Sequence, residues 1–175
     1  MEIRTLTVIG VTALFASLSG TRHVSAAQDD NTNIFAAKLL GDNEVPPINT
    51  AATGTFTMNT GVSPITFSLT FANLSTSTVL FSHLHFAPSK VAGGVMIFLC
   101  GGGGQPACPQ ATSGTITGTI TTTNVVALPA QGIAAGDLAS ALEAVREGNA
   151  YCNLHTMNFP GGEMRGQVGP GRSDQ

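Results

Sequence analysis

From residue 65 to residue 71 apolar and polar side chains alternate without a break. Ile65, Phe67, Leu69 and Phe71 fall on one side, and Thr66, Ser68 and Thr70 on the other. A period of two marks a strand with one buried and one solvated face. No strand satisfies its own backbone N–H and C=O groups, so this run commits its neighbours to a sheet. The neighbours match. Phe56 and Met58 alternate with Thr55 and Thr57, and further strands are expected at 35–40, 80–86, 94–99, 114–121, 150–156 and 163–168. Pro64 opens the clearest strand, where a first residue need not donate to the ladder. Turn signals such as Asn59-Thr60-Gly61 and Pro160-Gly161-Gly162 separate the runs. The pattern predicts an all-β fold, an antiparallel β-sandwich or Ig-like barrel.

One segment has a different period. Leu138, Ala141, Leu142 and Val145 recur at helical spacing, with Asp137 as N-cap and Gly148 as stop. This predicts a single short crossover helix ahead of the strand at 150–156. The N-terminus reads as an export signal. A basic Arg4 precedes an apolar run from Leu6 to Ser19, and Ser25-Ala26-Ala27 supplies a small-x-small cleavage site. Residues 1–27 are therefore expected to be a signal peptide, with Gln28 as the mature N-terminus. Residues 28–33 form an extension, 34–168 the domain and 169–175 a flexible tail. After cleavage no stable membrane span is expected, and the protein is expected to be secreted or periplasmic.

The mature portion holds five basic and nine acidic residues, a net charge of −4. No basic run is present of the kind that neutralises phosphates, which excludes nucleic-acid binding. Charged residues make up only 10% of the chain, with Thr, Ser, Gly and Ala in their place, as in exported β-proteins. Three cysteines in an oxidising compartment invite pairing. Cys100 and Cys108 bracket a glycine-rich loop that can bring them within bonding range, which predicts a Cys100–Cys108 disulfide. Cys152 is left over as a buried thiol, on the opposite strand face from His155.

Of the four histidines, His23 lies in the expected leader, and the other three sit in two strand-like runs. Phe81-Ser82-His83-Leu84-His85 puts two imidazoles on one face, about 7 Å apart. Tyr151-Cys152-Asn153-Leu154-His155-Thr156 supplies the third. Neutral imidazole is the commonest protein ligand for copper and zinc, so His83, His85 and His155 are the candidate metal ligands. Water or Glu163 is the candidate for a fourth position. The alternative is that these histidines hydrogen-bond to neighbours such as Asn153, Tyr151 or Glu163 and knit the sheet.

Four motifs follow in order: Asn43-Glu44-Val45-Pro46-Pro47, His83-Leu84-His85, Tyr151-Cys152-Asn153-Leu154-His155-Thr156, and Gly161-Gly162-Glu163-Met164-Arg165-Gly166-Gln167. The series resembles the CHRD domain, a module of the animal secreted protein chordin and of many bacterial exported proteins. The likeness runs from about Phe35 to Val168. It implies an extracellular β-domain, and it places Glu44, Pro46, Pro47 and Asn153 among structural positions. Two places differ from the family pattern. Cys152 stands where an aliphatic residue is usual, and Phe86-Ala87-Pro88-Ser89-Lys90 follows the histidines where a glycine-rich turn is usual. The His-x-His strand and the final Gly-Gly-x-x-Arg segment are also similar to copper–zinc superoxide dismutase, which implies a sandwich of that type and strengthens the metal reading. The separate zinc loop of that enzyme is missing.

Glu163, Arg165 and Gln167 are expected on one strand face. Arg165 has two readings: guiding an anion beside the metal, or closing a bidentate ion pair with Glu44 that pins the first turn to the last strand. No nucleophile–base order is recognisable, and Gly101–Gly104 lacks the Lys-Ser/Thr and helix of a phosphate loop. The sequence thus leads to a secreted binding module with a three-histidine copper or zinc site, its partner a metal ion or an unknown extracellular protein. A superoxide-dismutase-type copper enzyme and a purely structural extracellular interaction domain are the alternatives.

Overall fold

The structure, a computed structural model, describes residues 33–171. The expected signal peptide, most of the N-terminal extension and residues 172–175 lie outside the described residues. The elements are β1 (Ile34–Leu40), β2 (Thr53–Asn59), β3 (Ile65–Ala72), β4 (Val79–Phe86), β5 (Gly94–Cys100), β6 (Gly114–Ile120), α1 (Leu138–Arg146), β7 (Ala150–Thr156), β8 (Met164–Gln167) and β9 (Gly169–Pro170). All strand pairs are antiparallel and belong to one sheet, in the order β5-β4-β7-β8-β1-β2-β3-β6.

The sheet rolls into a nearly closed barrel. Alternation drives the closure, because every strand has an apolar side to turn inward. Phe56, Met58, Phe67, Leu69, Phe71, Leu39, Leu84, Leu99, Leu154 and Met164 meet in one core. The two end strands β5 and β6 are joined by the chain just past β6. Val125 bridges to Ile97, and the Val126 N–H donates to Met96 O at 2.9 Å. Helix α1 carries the chain from β6 to β7 and buries Ala141, Ala144 and Val145. Asp137 caps it by accepting from the Ser140 N–H. Gly148 follows with φ +70°, the left-handed conformation of a helix stop. Gly169 and Pro170, expected in the loose tail, pair instead with Ala36 and Phe35 as β9.

Cys100 and Cys108 are disulfide-bonded, and Cys152 is free and buried in the core. Burial raises the Cys152 thiol pKa, so it stays protonated. No helix among the described residues is long and apolar enough to cross a membrane.

The two-faced pattern fails at β4 and β7. There the outward-facing His83, His85, Tyr151, Asn153 and His155 are buried as well as the inward residues, with Phe81 left exposed at the edge. A strand buried on both sides needs a second cover, and that cover defines the site.

Candidate metal centre

The register places the three histidines side by side on the outer face of the sheet. Across β4 and β7, Phe81 opposes His155, His83 opposes Asn153, and His85 opposes Tyr151. Phe98 of β5 opposes His83 on the other side, and Arg165 of β8 opposes Asn153. One nitrogen from each of His83, His85 and His155 lies within 4.8 Å of the other two. Strand geometry alone assembles this cluster, because every member obeys the same period of two.

Two loops roof it. The 87–93 connection between β4 and β5 folds back over the histidine face, and Gly93 makes the return possible. A Cβ there would collide with the Phe86 carbonyl. Its carbonyl accepts from His85 Nδ1 at 2.9 Å, and its N–H donates to Tyr151 Oη at 3.3 Å. The 157–162 connection between β7 and β8 brings Pro160 O to His155 Nδ1, also at 2.9 Å. Under these loops the three histidines are only 5–8% exposed.

The carbonyl contacts decide the tautomers. A carbonyl oxygen only accepts, so Nδ1 of His85 and of His155 carries the hydrogen and each Nε2 presents a lone pair. His155 Nε2 is buried with no hydrogen-bond partner. His85 Nε2 lies 3.1 Å from His83 Nδ1, and Asn153 Oδ1 lies 3.1 Å from the first and 3.2 Å from the second. A hydrogen on His83 Nδ1 can be shared between His85 Nε2 and Asn153 Oδ1. It is then the one proton at the centre of the cluster. Shifting it to the far nitrogen of the same ring frees the His83 Nδ1 lone pair beside that of His85 Nε2.

Burial lowers all three pKa values. His83 falls to about 3, with His155 and His85 beside it adding to the effect. His85 falls to about 4, although its contact with Gly93 works the other way. His155 is lowered by burial too, against its contact with Pro160. Neutral rings at neutral pH are the state that ligates. Nitrogens about 2.0–2.1 Å from a shared tetrahedral ion sit about 3.3 Å apart. The His83–His85 pair is already at that spacing.

Tyr151 extends the site. Its ring stacks on His85, with centroids 4.6 Å apart and planes within 3°, and the Arg165 guanidinium lies over it at 4.4 Å. Arg165 is thus near the cluster, but it forms no ion pair with Glu44. Its Nε donates to Asn43 O at 2.6 Å and its Nη1 to Val91 O at 3.1 Å. The charge is held by backbone carbonyls and a ring face. Among the described residues the one ion pair within 4.0 Å is Arg146–Glu143.

Glu163 does not join the histidines, either as ligand or as hydrogen-bond partner. β8 begins only at Met164, and Gly162, at φ +125°, turns the chain just before it, so Glu163 leaves the face of Arg165. Its carboxylate accepts from Thr50 Oγ1, Ser75 N, Ser75 Oγ and Thr156 Oγ1 at 2.7–3.0 Å. These donors tie three separate connections to the end of β7. Asn153 contacts two of the histidines, the hydrogen bonding that the sheet-knitting alternative expects of it. Glu44, Pro46 and Pro47 lie on the turn after β1, with Glu44 buried. Cys152 faces the core, as alternation predicts.

A CHRD domain profile matches residues 35–168. The chain belongs to the CHRD domain family. Comparison with curated proteins and with solved structures gives no significant match. The CHRD match spans the whole barrel from β1 to the end of β8, so the histidine cluster and both roofing loops lie inside the domain.

Proposed function

We propose that this CHRD domain is an exported binding module that holds one copper or zinc ion on His83 Nδ1, His85 Nε2 and His155 Nε2. The observation that carries the reading is the pair of locked tautomers. Metal-ligating histidines characteristically donate their other ring N–H to a carbonyl or carboxylate, and His85 and His155 both do so here. The buried, partnerless Nε2 of His155 is otherwise a cost with no return. Asn153 Oδ1 is placed to accept a hydrogen bond or to serve as an oxygen donor beside the ion.

The roofed position of the cluster favours holding an ion over turning over a substrate, which needs an open coordination position. Export is supported by the apolar leader with its Ser25-Ala26-Ala27 site and by the Cys100–Cys108 disulfide, a bond of oxidising compartments. N-terminal sequencing of the native protein should begin at Gln28.

Metal-free protein titrated with Zn(II) and Cu(II) in a calorimeter tests the metal reading. One equivalent should bind, and free metal at 100 times its dissociation constant should add about 2.7 kcal/mol of stability. His155→Ala should lose most of both effects. Equal, negligible melting shifts in wild type and His155→Ala would return the histidines to a purely structural role.

A further inference from the structure

On the far side of the Pro160 loop lies a cavity of about 230 Å³. Val45, Pro46, Ile48, Phe159 and Pro160 give it apolar walls, and Glu44 is part of its lining. Glu44 is only 5% exposed, and its Oε1 has no hydrogen-bond partner. Gly162 makes the seat, since a Cβ there would lie 2.6 Å from that oxygen.

The same fold shows what a satisfied buried carboxylate looks like. Glu163 receives four donors, whereas Glu44 receives no side-chain donor at all. Arg165 is the cation whose charge acts on Glu44, yet its Nε and Nη1 donate to Asn43 O and Val91 O instead. A buried carboxylate that its own protein leaves short of donors, beside an apolar cavity, is matched by a ligand carrying N–H donors and a positive charge on a short aliphatic stem. We infer that this cavity is a second binding site, for an aliphatic primary ammonium, with Glu44 as its counter-ion. The chemistry is that of a lysine side chain or of a small free amine. The site shares the 157–162 loop with the histidine cluster, and the Arg165 charge acts on both Glu44 and His85.

The test is an NMR titration of the full mature protein at pH 8 with four probes: n-butylammonium, n-butanol, potassium chloride and an end-blocked Gly-Lys-Gly peptide. Butylammonium should shift the amides of 45, 48, 159, 161 and 162 saturably. Butanol, which has the same stem without the charge, should bind at least about tenfold more weakly. Glu44→Gln should lose a similar factor while melting no lower than wild type. Ile48→Trp, which fills the cavity and keeps the carboxylate, should abolish binding. Binding of the peptide as well identifies a protein lysine as the natural ligand type, and binding of butylammonium alone a free amine. Butanol binding as tightly as butylammonium, potassium competing at equal concentration, an unchanged Glu44→Gln, or no saturable shift would each overturn the assignment.

Discussion

Replacing Glu44 by Gln should change how stability depends on pH. Burial raises the Glu44 carboxyl to about 7 from an ordinary value of 4.5, against the opposing pull of the Arg165 charge and of the Val45 backbone. The folded protein therefore binds this proton more tightly than the unfolded chain does. Its contribution is fully present below about pH 4.5 and is lost as pH rises through about 7. At about 1.4 kcal/mol per pKa unit the full swing is about 3–4 kcal/mol, of which about 2–3 kcal/mol, or roughly 6–12 °C in melting temperature for a domain of this size, falls between pH 5 and pH 8.5. Glutamine keeps the shape and has no proton to lose, so the variant should gain on wild type by that amount between pH 5 and pH 8.5. Taking the difference between the two proteins also cancels the three histidines, whose lowered pKa values act in the opposite sense and cost stability as pH falls below 6.5. The chain has no Trp and a single Tyr, so urea unfolding is best followed by far-ultraviolet circular dichroism with the disulfide intact. A difference between variant and wild type that stays flat across this range would refute the reasoning.

Glu163→Ala strands the Ser75 N–H and opens a hole, and should cost about 3–5 kcal/mol by chemical denaturation. Glu163→Gln should lose much less, because the facing hydroxyls of Ser75 and Thr156 can turn and accept. In the metal-free protein at pH 7, nitrogen NMR should find His85 and His155 as Nδ1–H tautomers, and all three rings should titrate below 6.5. An Nε2–H signal from either of those two would contradict the assignment. Reducing Cys100–Cys108 should cost about 2–3 kcal/mol for so short a loop. Thiol reagents should reach Cys152 only after unfolding.

The strands were legible because period-two alternation survives in β2, β3 and β6, where one face meets water. His83, His85 and His155 were legible as a group through the His-x-His spacing and their confinement to two strand-like runs, although both faces of β7 are buried. Asn153 and Tyr151 share their face, so the signal for including them in the site was present in the alternation of β7. What stayed hidden comes from loops. The carbonyls of Gly93 and Pro160, which choose the tautomers, carry no side-chain signature. Arg165 was expected to seek Glu44, yet the carbonyls of Asn43 and Val91 arrive first from two loops whose paths the sequence does not specify. Glu163 was read as part of a strand face because its N–H still bonds to Leu154 O of β7, while its carboxylate turns to Thr50, Ser75 and Thr156.

The stitch between β5 and β6 bears on how a partner can be recognised. An open sheet invites another chain to extend its ladder, giving affinity through main-chain hydrogen bonds with little demand on sequence. Here Val125 and Val126 already occupy that position against Met96 and Ile97. At this seam a visitor meets an edge already interrupted at the middle of β5. Recognition is left to side chains and loop surfaces, so its selectivity can change by substitution in the roofing loops while the barrel beneath stays the same.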